Sequence, residues 1–323
     1  MAGLLTYIIG GTGLFLIGAS ESLITTTQTL TQISTPSSTP SKKSTPFIFF
    51  TASLLSFFFI SNSLISITSA LKSHDQTGVV LQLEVISIAA LFLLLSLLGA
   101  VTNLKNSVNI PSHVINLLCL FGFVEEFFLF YIQKKDPDGI ENRYYDLLLV
   151  PICVCIVSTL LELREEGAKY SRLGRGVGLV MQGMWFVQMG LSFYSGLITD
   201  GCFMKKKSRG NFTIWCKGHP EFHRARAVAT LQFNCHLALL VCFVAGGYSF
   251  VSRRYGVSGG AMEYKPLGAE MQRVSMSHAQ FTLDSDDDDD DDDDEDGVKD
   301  DEGVEKNVVV VAETGVNGYG SRH

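Results

Sequence analysis

The chain has 323 residues, 46% of them hydrophobic and 18% charged, with a formal net charge of −8 at pH 7. Its apolar residues come in unbroken blocks: no charged residue occurs from Phe47 to Leu71, from Gly176 to Ile198 or from Ala227 to Val251, and each run is long enough to cross about 30 Å of hydrocarbon. That pattern excludes a soluble globular enzyme. The net charge conceals two regimes, because residues 284–323 hold 17 acidic and 3 basic side chains and leave 16 acidic and 22 basic upstream.

In chain order the apolar segments run Leu4–Ala19, Phe47–Leu71, Val79–Val101, Ile110–Ile132, Tyr145–Leu163, Gly176–Ile198 and Ala227–Val251, here spans one to seven. Lipid offers a backbone amide no partner, so a spanning segment must pair its own and is helical. The expected fold class is all-α: a seven-helix transmembrane bundle over residues 1–254 and a disordered acidic C-terminal tail over residues 255–323. Nine consecutive aspartates, Asp286–Asp294, mark the tail; their repulsion and lack of apolar surface leave nothing to offset chain entropy. Nucleic acid is not an expected partner. The lipid bilayer is, and the sequence identifies no protein partner or oligomeric state.

Span one is short and interrupted by Gly10, Gly11 and Gly13. It lacks the basic start of a secretory signal and is expected to be a retained helix, with Gly3, Gly10, Gly11 and Gly18 admitting a close neighbour. The Ser, Thr, Pro and Gln residues from Thr25 to Pro46 read as a flexible polar loop. Pro151 is expected to kink or locally unwind span five. Cys119, Cys153, Cys155, Cys235 and Cys242 lie inside spans and read as small apolar packers.

Orientation rests on the loop Thr199–Arg226, which holds Cys202, Cys216 and the acceptor sequon Asn211-Phe212-Thr213. A disulfide between Cys202 and Cys216 and glycosylation of Asn211 both belong to an oxidising lumen, so this loop is expected to be lumenal or extracellular. Seven crossings then put the N-terminus on that side and the tail in the cytosol. Arg164, Lys169, Arg172 and Arg175, in the short fifth loop, and Arg253 with Arg254 fit a cytosolic face. Lys205, Lys206, Lys207 and Arg209 in the sixth loop run against it.

Charge inside a bilayer is costly, so each group needs a partner, a cavity or a route to water. Glu162, at the cytosolic end of span five, is expected to snorkel. With about 1.5 Å of rise per residue, Glu84, Glu125, Glu126, Gln188, Gln232 and His236 all fall in the outer half of the bundle and form a candidate polar layer. Glu125 and Glu126 point about 100° apart, so they meet different neighbours. Such a layer serves either as a proton, ion or ligand site or as interhelical hydrogen bonding.

Cys216, His219 and His223 have zinc-like spacing with Cys202, but thiols in a lumen oxidise to a disulfide first. Paired intramembrane histidines for haem are lacking, and Gly10-Gly11-Thr12-Gly13 has neither the strand context nor the lysine of a phosphate loop. No catalytic residue, metal or cofactor is expected.

In span six the string Gln182-Gly183-Met184-Trp185-Phe186-Val187-Gln188-Met189-Gly190 resembles the signature of the transmembrane protein 45 family. Gly11-Thr12-Gly13-Leu14-Phe15 with Gly18, Val124-Glu125 with Phe130-Tyr131, and Phe233 with His236 resemble other family segments in the same order. The family's histidines after the fourth span and before the fifth are replaced here by Tyr131-Ile132-Gln133-Lys134 and Arg143-Tyr144-Tyr145. The resemblance implies a seven-span membrane protein and no particular reaction. The expected function is therefore a non-enzymatic multi-pass membrane protein acting through protein partners or membrane organisation. The alternative is a transporter or ligand-responsive protein built on the layer around Glu125 and His236.

Overall fold

The computed structural model describes residues 2–34, 45–104, 111–134, 136–165, 169–195, 198 and 200–254. The acidic tail expected over 255–323 lies outside them. Seven helices follow in chain order: α1 Ala2–Ser34, α2 Thr45–Lys72, α3 Gln76–Leu104, α4 Ser112–Ile132, α5 Glu141–Arg164, α6 Lys169–Ser195 and α7 His219–Arg254. A two-stranded antiparallel hairpin, β1 Cys202–Ser208 and β2 Asn211–Cys216, separates α6 from α7. Six of the helices, all but α6, are long and apolar enough to cross a membrane.

Three expectations change. Span one does not stop at Ala19, and Thr25–Ser34, expected as loop, continues α1. The hydroxyls of Thr25, Thr26 and Thr29 donate to the carbonyls of Glu21, Ser22 and Thr25, one turn back, which satisfies these polar side chains on the helix itself. Lys169, Arg172 and Arg175, expected in a loop, belong to α6. Pro151, buried, sits within an α5 that is helical on both sides of it, so of the kink or local unwinding expected there the unwinding does not occur.

The most extensive helix pairing is α1 with α6, and glycine makes it. A Cβ at Gly11 would lie 2.5 Å from the Gly183 carbonyl oxygen, and one at Gly18 would lie 2.5 Å from that of Gly176. Gly11 and Gly18 are seven residues apart, as are Gly176, Gly183 and Gly190, so the antiparallel pair meets every second turn with no side chain between. Gly10 and Gly13 instead receive Phe59 and Leu55 of α2. The glycines expected to admit one neighbour therefore admit two.

The aromatic core lies toward the hairpin end, between α5, α6 and α7. Trp185, fully buried, stacks on Tyr144 with centroids 5.4 Å apart and meets Phe233 edge-on at 5.0 Å. Its indole N–H donates to the Tyr144 carbonyl at 3.0 Å. Phe193 joins Tyr144 to Phe212 of the hairpin, at 5.0 and 5.6 Å.

Candidate functional site

The outer polar residues separate into two groups. The first joins α5, α6 and α7. Gln188 Nε2 donates to Ser192 Oγ at 3.1 Å, and Gln232 Oε1 accepts from Tyr144 Oη at 3.0 Å and from Ser192 Oγ at 3.5 Å. His236 Nδ1 lies 2.8 Å from the Gln232 carbonyl, with its ring edge-on to Trp185. Gln232 bridges α7 to α5 and α6, while Gln188 and His236 are held on their own helices.

The second group faces the other way. Gln182 Nε2 donates to Glu126 Oε1, joining α6 to α4, while Gln182 itself is fully buried. Glu84 on α3 lies within electrostatic reach of Glu125. One oxygen of Glu125 and the Oε1 of Gln182 are buried with no hydrogen-bond partner among the described residues.

The family-motif residues of α6 are now explained by packing. Gln182 reaches Glu126 of α4, Gln188 bonds Ser192 one turn on in α6 itself, Trp185 fills the aromatic core, Gly183 meets the α1 backbone, and a Cβ at Gly190 would come within 2.5 Å of Tyr7 Cβ.

A cavity of about 430 Å³ runs between α1 and α6 on one side and α2, α3 and α4 on the other. That is within the usual range for ligand sites, roughly 300–1,000 Å³. Of the six residues in the candidate layer, only Glu126 lines it. Its middle is apolar, formed by Leu14, Leu55, Phe59, Ile88 and Phe92. One end carries Glu21, Arg172 and Arg175, and the other carries Asn62, Gln82, Lys206 and Arg209.

The end at Glu21 is a neutral network. Arg175 donates through Nε to Glu21 at 2.9 Å and through Nη1 to Glu162 at 2.5 Å, and Arg172 Nε meets Glu162 at 2.9 Å. Glu162 is 4% exposed, so it does not snorkel as expected. It is retained inside the bundle by two guanidinium groups. Glu21 and Arg175 escaped notice in the sequence because the first stood beyond the assumed end of span one and the second read as a loop charge.

The opposite end is covered by the hairpin, whose disulfide Cys202–Cys216 joins directly opposed residues of the ladder. The disulfide engages both thiols of the four-residue set considered for zinc, leaving His219 and His223 edge-on to each other with centroids 4.4 Å apart. Ile214 N–H donates to Glu141 Oε2 at 2.8 Å, and its carbonyl accepts from Ile140 N–H at 3.1 Å, which fixes β2 to the start of α5. Asp75, 1% exposed in the α2–α3 turn, accepts from Ser208 Oγ at 2.7 Å, from Asn211 Nδ2 at 2.6 Å and from the Gly78 N–H at 3.1 Å. Burial raises the pKa of that carboxyl, but these bonds and nearby Lys207 outweigh it and hold the value below the ordinary aspartate range. Asn211 is thus buried, with the nitrogen that would carry a glycan engaged; a sugar there would displace the bond to Asp75.

Comparison with known proteins finds a similarity for part of this arrangement. The model of a family of unknown function, DUF716, matches residues 112–249, from α4 through most of α7. No curated protein matches the chain.

Proposed function

We propose that the chain is a non-enzymatic, seven-span integral membrane protein of the transmembrane protein 45 family, and that it holds a small molecule in the cavity between α1/α6 and α2/α3/α4. The hairpin end faces the lumen or the cell exterior, and the tail faces the cytosol. The DUF716 match and the Gln182–Gly190 motif it contains support the family assignment. The disulfide supports the orientation, because such bridges persist in oxidising compartments. α6 is counted as a crossing because it runs antiparallel to α1, through the centre of the bundle. Gln182 and Arg175 are taken up by neighbouring helices, Gln188 bonds Ser192 within α6 itself, and Lys169 and Arg172 lie at one end.

The cavity carries the functional reading. A slot of this size, apolar in its middle and polar at both ends, is built for an occupant that lipid-facing surfaces cannot hold. Ser56 lies in its wall, 5% exposed, and Ser56→Phe would fill part of it. Organic extracts of wild-type protein, purified in mild detergent, are expected to contain a small molecule at near one equivalent, depleted in Ser56→Phe. Identical extracts from the two, with both proteins folded, would overturn the reading.

Transport is the second reading, favoured by Glu126 in the cavity wall. Proton flux into dye-loaded liposomes that is lost in Glu126→Gln would establish it. Action through protein partners or membrane organisation draws support from the outward faces of α7, where Leu231 is 65% exposed and Val241 and Phe250 are each 67% exposed. That reading gives the cavity no role.

A further inference from the structure

The two ends of the cavity differ in charge. At the α1–α5–α6 end, Arg172 and Arg175 are matched by Glu21 and Glu162. At the hairpin end, Lys207 stands 3.7 Å from Asp75. Lys206 and Arg209, which line the cavity, have no carboxylate partner among the described residues. Arg209 Nη2 is held at 2.9 Å by the neutral amide oxygen of Asn62. Asp75 and Glu141 are engaged elsewhere on the hairpin, so these two cations are left without an ion pair at the mouth, where an anion can meet them.

An independent observation lies nearby on α2. Ser63 lines the cavity, is 1% exposed, and its Oγ has no hydrogen-bond partner among the described residues. Buried polar atoms are nearly always paired, so a donor left over in a cavity wall asks for an acceptor supplied by an occupant. From Ser63 the slot continues past Phe59, Leu55 and Ile88 toward Phe49. That is about 21 Å of helix rise along α2, comparable to an extended long acyl chain. A volume of about 430 Å³ with lining residues spread over such a distance suits a chain-like occupant.

We propose that the cavity binds an anionic single-chain amphiphile, with its head at Lys206 and Arg209, a head-group oxygen accepting from Ser63 Oγ, and its acyl chain threaded between α1 and α2/α3. This rests on the cavity being a ligand site and names the chemistry of its occupant. A fatty acid and a lysophospholipid share that chemistry.

The test measures binding of oleate, oleoyl-lysophosphatidate and oleyl alcohol to purified full-length protein, for wild type, Lys206→Glu and Ser56→Phe. Lys206 is exposed, and its replacement leaves the described hydrogen bonds intact. Wild type is expected to bind at least one anionic amphiphile ten-fold or more tighter than the alcohol. Preference for oleate identifies a carboxylate head, and preference for lysophosphatidate a phosphate head. Lys206→Glu should weaken the anion ten-fold and leave the alcohol unchanged, while Ser56→Phe should weaken all three. Equal affinity for alcohol and anions, insensitive to Lys206→Glu but sensitive to Ser56→Phe, would overturn this inference and leave the ligand cavity standing. Absence of binding by all three to folded wild-type protein overturns the inference, and identical extracts from wild type and Ser56→Phe overturn the cavity reading itself.

Discussion

Arg175 illustrates how a single residue changes meaning between sequence and structure. In the sequence it stands among basic neighbours that read as a cytosolic flank; in the fold it is 9% exposed and joins two carboxylates from different helices. Removing it would leave Glu21 and Glu162 buried and short of a partner. Breaking a buried pair in this way costs roughly 3–5 kcal/mol. Arg175→Ala is therefore expected to lower the thermal midpoint of the detergent-solubilised protein strongly, with partial recovery in Arg175→Ala/Glu21→Gln. An unchanged midpoint in the single variant would contradict the role. Asp75 gives a prediction with a definite sign. Its folded-state pKa is depressed, so the unfolded chain binds the proton more readily and the stabilisation is present above the unfolded value. It is lost as pH falls past the ordinary aspartate value, about 3.9. Amide exchange in the hairpin, corrected for intrinsic rates, should be level from pH 7 to pH 5 and rise below about pH 4, with the step absent in Asp75→Asn. Loosening between pH 6 and 5 would assign the latch to another group. The sequence carried no sign of this site, because Ser208 and Asn211 lie 133 and 136 residues from Asp75 and only the tertiary fold brings them together.

At the scale of elements, the glycines of α1 were legible as a place of close approach, and the partner was not. The partner is written in α6 at the same seven-residue spacing, which gains meaning only when the two helices are set antiparallel. Gly183 is closely enclosed by backbone, since an added Cβ would meet the Gly11 carbonyl oxygen and the Phe15 amide nitrogen, each at 2.5 Å. Backbone cannot yield as a side-chain tip does, so Gly183→Leu is expected to cost at least the 1–3 kcal/mol typical of overpacking, about the upper end of that range. Gly246→Leu is the internal control, because nothing lies within 4 Å of a Cβ there and its thermal midpoint should stay at the wild-type value. Equal losses in both variants would show that the effect is not contact between α1 and α6. The hairpin went unread for a different reason. Phe212, Thr213, Ile214 and Trp215 favour a strand, and Gly210 supplies the left-handed reversal at φ +87°. The same segment carries Cys202, Cys216 and the sequon, signals of a loop that overlie the strand pattern.

For the whole molecule, the positions of the apolar blocks were legible to within a turn or two at most ends, because charge exclusion from lipid acts on sequence directly. The residues of the expected polar layer divide into two groups in the fold. Depth along a helix follows from counting residues, but which way a side chain turns depends on neighbours, so Gln232 and His236 close on α5 and α6 while Glu126 alone reaches the cavity. α6 is the one described helix that length and composition do not mark as a membrane crossing, and the proposed seven-span topology depends on it. Its direct test is labelling of single cysteines placed at Glu165 and at Lys205, before and after α6, with a membrane-impermeant thiol reagent. The reagent is applied to intact and to permeabilised cells, with the free native cysteines replaced. The expected result is reaction at position 205 in intact cells or sealed lumen-out vesicles, and at position 165 only after the membrane is opened. Reaction of both positions from the same side would remove α6 as a crossing, and with it the seven-span bundle.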